Sequence, residues 1–116
     1  MKGLSKRHAP VAVLLAPEVH SLYVSLKGQD ELKKTLDKGL DLLKERMFVG
    51  EKIEKRLIPK YYVDKYGVNN LFRLRLDRAR RLVYTIVADE EGVKVAVLEV
   101  FLDHKSYGRR FGYRTG

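Results

Sequence analysis

In the run Leu71-Phe72-Arg73-Leu74-Arg75-Leu76, strict alternation puts two arginines on one face of a strand and the apolar residues on the other. Two residues of extended chain span about 6.6–6.8 Å, comparable with the step between adjacent phosphates on a single nucleic-acid strand. The guanidinium is a planar fork that grips phosphate oxygens in pairs and stacks on bases, whereas an ammonium acts as a hydrated point charge. Arg78, Arg80 and Arg81 follow at once, offset only by Asp77. A second basic segment holds Lys105, Arg109, Arg110 and Arg114, with no carboxylate after Asp103. There Tyr107, Phe111 and Tyr113 interleave with the arginines, and aromatic faces that stack on unpaired bases beside backbone-tracking cations suit single-stranded RNA. The competing reading makes Arg73 and Arg75 a solvated strand face beside Asp and Glu partners. In that reading Phe111 and Tyr113 simply pack on the domain.

Cleaving a phosphodiester with such residues would need a base for the attacking hydroxyl, an acid for the leaving oxygen and cations for the charge that develops on the phosphate. His104, the one histidine of the C-terminal half, has the side chain best suited to general base work near neutral pH. Arg81 and Arg73 would stabilise the developing charge, and Tyr107 would stack on a base. His104 is equally readable as a structural residue at a strand end. His8 and His20 have no supporting company. Without cysteine there is no disulfide, thiolate zinc site or cysteine nucleophile, and no acidic cluster marks a metal site, so neither metal nor cofactor is expected.

The net charge is +9, and the two basic segments net four positive charges each. A generic soluble surface would spread its charge, so this clustering favours an anion-binding site. At 116 residues the chain has room for one domain, and 45% hydrophobic content excludes wholesale disorder. A basic arm over residues 1–9 and a single domain over 10–116, ending in the basic-aromatic tail, are expected. Abundant charge, absent Cys and scarce Gln and Asn point towards a thermophilic source. No apolar run approaches the ~20 residues of a membrane span, and Val11–Ala16 is too short for a signal-peptide core. A cytoplasmic protein with no membrane partner is expected.

Val11–Leu15 reads as a buried strand, and Pro17 suits the first turn of the helix that carries Val19, Leu22, Tyr23 and Leu26. Gly28 ends that helix, Asp30 caps the next, and Leu32, Leu36, Leu40 and Leu43 form its stripe, which predicts a helical hairpin. Phe48 to Asn70 has no clear period, beyond a short helix after Pro59. Leu71–Leu76, Leu82–Ala88 and Val93–Leu102 then read as three strands, the last apolar on both faces. The expected class is α+β, a two-helix hairpin packed on one face of a small, mainly antiparallel sheet.

From Leu71 to Tyr107 the sequence resembles the RelE/ParE toxin superfamily, closest to archaeal-type RelE mRNA interferases. The resemblance lies in the basic-apolar-basic strand Arg73-Leu74-Arg75, in Arg80-Arg81-Leu82-Val83-Tyr84 after a short turn, and in His104-Lys105-Ser106-Tyr107 after the last strand. The strand-helix-helix order before them is also similar. The resemblance implies a RelE-like fold and a toxin that cuts mRNA on the ribosome by 2′-hydroxyl attack, held in check by a separate antitoxin. It assigns substrate binding and catalysis to Arg73 and Arg75, which stand where RelE has lysines, charge stabilisation to Arg81, and base orientation or proton transfer to Tyr107. Arg78, Arg80, Lys105, Arg109, Arg110, Phe111 and Tyr113 complete the expected RNA-binding set. A non-catalytic RNA- or ribosome-binding factor and a ParE-like topoisomerase inhibitor are the alternatives. Two features depart from the family pattern: only Lys105 and Ser106 separate His104 from Tyr107, and Phe48–Asn70 is long.

Overall fold

In the computed structural model, which describes residues 8–112, strands β4 (Arg81–Asp89) and β5 (Gly92–Phe101) pair antiparallel around the turn Glu90-Glu91. β3 (Phe72–Arg75) pairs antiparallel with β4, and the two-residue β2 (Glu51–Lys52) pairs with β3 at Phe72 and Arg73. β1 (Ala12–Leu15) runs parallel to β5, so the sheet is mixed, in the order β1-β5-β4-β3-β2.

Alternation along these strands builds two cores. Phe72, Leu74, Leu82, Tyr84, Val95 and Val97 face helices α1 (Pro17–Ser25) and α2 (Glu31–Glu45), which contribute Val19 and the stripe Leu36, Leu40 and Leu43. Asp30 caps α2 by accepting from the Leu32 amide at 2.8 Å. Gly39 lets α2 approach closely, because a Cβ there would lie 2.5 Å from Leu76 Cδ2. On the second face Val83, Leu98 and Phe101 meet Tyr62 of α3 (Lys60–Tyr66) and Tyr107 of α4 (His104–Phe111). A register shift between Val83 and Tyr84 makes Leu98 the additional residue of β5. Leu98 and Glu99 then both reach the α3–α4 side, Leu98 by packing and Glu99 by accepting from Tyr62 Oη at 2.7 Å.

A two-helix hairpin on one face of a mainly antiparallel sheet therefore does not describe this chain, and the RelE-like arrangement expected in that form is corrected. Among the described residues there are four α-helices and a five-stranded mixed sheet. The physical reason lies in β4 and β5, which are apolar on both faces and need cover on each. The stretch between Phe48 and Asn70 provides part of that cover, through Ile53, Ile58 and, in α3, Tyr62. The segment after Asp103, expected as a basic-aromatic tail, provides the rest by folding as a helix. Among the described residues no helix is long and apolar enough to cross a membrane. Most of the basic arm, Tyr113 and Arg114 lie outside the described residues.

Candidate nucleic-acid interface

Because Phe72, Leu74 and Leu82 enter the first core, Arg73, Arg75 and Arg81 project from the second face. The β3–β4 register sets Arg75 directly opposite Arg81. A cleft of about 550 Å³ opens there, lined by the three arginines, Leu74 and the segment Val49–Glu51. Neither Arg75 nor Arg81 has a carboxylate partner among the described residues, in contrast to Arg73, Arg80 and Arg110.

Arg73 is held from two sides. Its Nε and Nη2 donate to Glu51 Oε1 at 3.1 and 2.5 Å, and its Nη1 donates to Tyr107 Oη at 2.6 Å. Arg81 Nη2 lies 3.2 Å from His104 Nδ1. A guanidinium can only donate, so Nδ1 is the acceptor and the neutral imidazole carries its proton on Nε2. The Arg81 guanidinium carbon lies 4.8 Å from the centre of the Tyr107 ring, and Arg81 Nε is buried with no hydrogen-bond partner among the described residues. His104 and Tyr107 are one turn apart on α4, His104 exposed and Tyr107 only 1% exposed. The helix starts where it does because Asp103 accepts from the Ser106 amide at 2.7 Å. That bond also holds the Asp103 carboxyl below the usual carboxylate range.

No family model, curated protein or solved structure matches the chain.

The other expected contacts divide into two sets. Arg78, Lys105 and Arg109 are exposed and have no carboxylate partner among the described residues. Arg80 pairs with Asp77 at 3.5 Å in the β3–β4 turn, where Asp77 also accepts from the Ala79 and Arg80 amides. Arg110 donates to both carboxylate oxygens of Glu99, at 3.0 and 3.1 Å, and lies 3.6 Å over the Tyr61 ring, bracing α4 against α3. Phe111 stacks on Tyr107 with ring centres 4.4 Å apart and belongs to the second core. Tyr113 is outside the described residues. The structure thus brings Arg73, Arg75, Arg81, His104 and Tyr107 together, while Arg80, Arg110 and Phe111 bind parts of the fold to one another.

Glu51 and Gly50 were not foreseen. Glu51 lies in a two-residue strand with no period to read, and only the β2–β3 register sets it opposite Arg73. Gly50 passes so close to β3 that a Cβ would sit 2.7 Å from the Arg73 carbonyl oxygen. Among the described residues no group of three or more His, Cys, Asp or Glu side chains could hold a metal ion.

Proposed function

We propose that the chain binds RNA in the Arg73–Arg75–Arg81 cleft and cleaves it by attack of a 2′-hydroxyl on the adjacent phosphorus, the activity that the RelE resemblance implies. The observation that carries this reading is Arg75 opposite Arg81. Like charges directly across a strand pair are destabilising, and these two share a cleft without a carboxylate partner among the described residues. A phosphodiester supplies the missing negative charge, and the forks grip its oxygens in pairs.

In the reaction the 2′-oxygen bonds to phosphorus, the bond from phosphorus to the 5′-oxygen breaks, and a 2′,3′-cyclic phosphate and a 5′-hydroxyl result. Arg81, its guanidinium still over the Tyr107 ring, passes its Nη2 hydrogen bond from His104 Nδ1 to the phosphate as negative charge develops there. Nδ1 so released takes the 2′ proton, and the imidazolium or water returns one to the leaving oxygen. The scheme calls for no metal ion. The resemblance adds mRNA on the ribosome as substrate, a separate antitoxin as partner and a cytoplasmic location.

A non-catalytic RNA- or ribosome-binding factor is the second reading. It is favoured by the Arg81 Nη2 seated on Nδ1, the atom a general base must use. Purified full-length protein, freed of any antitoxin, separates the two when incubated with mRNA, with and without translating ribosomes. Cleavage leaving 2′,3′-cyclic phosphate ends is expected, slowed roughly 10²–10⁴-fold by His104→Ala. An active His104→Ala variant removes only the base assignment. If wild-type protein cuts nothing under either condition, the enzyme reading fails and the binding factor takes its place.

A further inference from the structure

Tyr107 has the sequence position of a residue that stacks on a base or moves a proton, but its surroundings fit neither role. Its side chain is 1% exposed, with Phe111 stacked on the ring and Phe101 edge-on at 5.2 Å. Its hydroxyl is engaged by Arg73 Nη1 at 2.6 Å, and the Arg81 guanidinium lies over its ring. A base cannot stack on a ring so enclosed. One side chain thus meets both arginines, Arg73 through oxygen and Arg81 through π electrons. The ring offers Arg81 an electrostatic partner where its buried Nε has no hydrogen bond among the described residues.

We propose that Tyr107 is a positioning residue that fixes Arg73 and Arg81 at a set separation, so that the cleft meets an RNA phosphate with its guanidinium groups already in place. α4 acts as the carrier: the Asp103 cap fixes its start, and Tyr107 with Phe111, four residues on, forms its buried face. A pre-ordered arginine loses less freedom on binding than a mobile one, so the benefit falls on affinity. The inference rests on the RNA-binding half of the proposed function and not on cleavage.

The test uses the full chain, isotopically labelled, with Tyr107→Phe and Tyr107→Leu. Tyr107→Phe keeps the ring under Arg81 and removes the bond to Arg73; Tyr107→Leu removes both. In wild type, slow rotation about the Arg73 Nε–Cζ bond and slow solvent exchange of the Arg81 Nε–H are expected by NMR. Tyr107→Phe should speed the Arg73 rotation, which Glu51 still restrains, and leave Arg81 slow, while Tyr107→Leu should speed both. Affinity for a short single-stranded RNA at fixed salt should fall about tenfold in Tyr107→Phe, the scale of one lost charge-assisted hydrogen bond. If Tyr107→Leu does not fold, the nearly isosteric Phe variant decides alone. Unchanged Arg73 rotation in Tyr107→Phe overturns the proposal. So does loss of cleavage with unchanged arginine dynamics and RNA affinity and a missing alkaline limb in the pH–rate profile, the mark of a tyrosine that moves a proton itself. If wild-type protein binds no RNA, the RNA reading fails, and the arginine dynamics still decide whether Tyr107 positions them.

Discussion

Arg75 and Arg81 face one another across β3 and β4, and the two are not equally held. Arg81 has His104 and the Tyr107 ring, while Arg75 is exposed and gains no carboxylate among the described residues. Removing Arg75 should therefore relieve repulsion at little structural cost. Arg75→Thr keeps a residue suited to a strand, and its folding stability should stay level or rise by roughly 0.2–1 kcal/mol, the scale of a cross-strand pair. RNA affinity should fall in the same variant, with the slope of log affinity against log salt shallower by about one phosphate contact. Denaturant titration and binding across a salt series check both halves. A variant that loses stability and keeps its salt slope would mean that Arg75 serves the fold and meets no phosphate.

The short elements β2 and the loop before it place one wall of the cleft, and their position depends on a close approach. Gly50 N–H donates to Tyr84 Oη at 3.0 Å, and a Cβ at Gly50 would lie 2.7 Å from the Arg73 carbonyl oxygen and 2.8 Å from Tyr84 Oη. Backbone cannot yield as the end of a flexible side chain can. Gly50→Ala should therefore destabilise the protein by about 1–3 kcal/mol, in the range of overpacked sites, and weaken RNA binding by displacing the strand that carries Arg73. A melting temperature equal to that of wild type would show that the approach is not needed. At this scale the sequence was readable wherever a period runs long enough. Two-residue alternation located β3, a β-branched and aromatic run located β4, a run apolar on both faces located β5, and the leucine stripe with Asp30 located α2, because these patterns are local. The short helix expected after Pro59 is α3, marked by that proline although it buries only Tyr62; β2 has no period, and α4 looks like a basic tail unless the Asp103 cap and the Tyr107–Phe111 spacing are weighed together. The arginine face was legible for the same local reason. The contacts Arg73–Glu51 and Arg81–His104 join residues 22 and 23 positions apart, and strand registers that no local pattern encodes bring them together.

Across the whole molecule, buried tyrosines tie the layers through their hydroxyl groups. Tyr62 joins α3 to β5 at Glu99, Tyr107 joins α4 to β3 at Arg73, and Tyr84 joins β4 to the cleft loop by donating to the Met47 carbonyl at 2.7 Å while accepting from Gly50 N–H. Burial pushes the Tyr84 hydroxyl up to about 12 from its ordinary 10.0, against the opposing pull of the Gly50 amide. Tyr62 is raised further, by burial first and then by Glu99. A folded-state pKa above the unfolded one favours the neutral hydroxyl in the folded protein. The associated stability is complete below about pH 10 and is lost as pH rises through 12. Tyr84→Phe keeps the packing but leaves Gly50 N–H and the Met47 carbonyl without this partner, so at neutral pH it should cost about 1–3 kcal/mol. The variant also lacks one of the groups that must ionise in alkali, so its stability should decline less steeply than wild type above pH 10. Denaturant unfolding of the two proteins at neutral pH and at intervals up to pH 12 should show the gap between them narrowing. A gap that stays constant or widens would mean that the Tyr84 hydroxyl ionises in the folded protein no harder than in the unfolded chain, and that the cleft loop is held by other contacts.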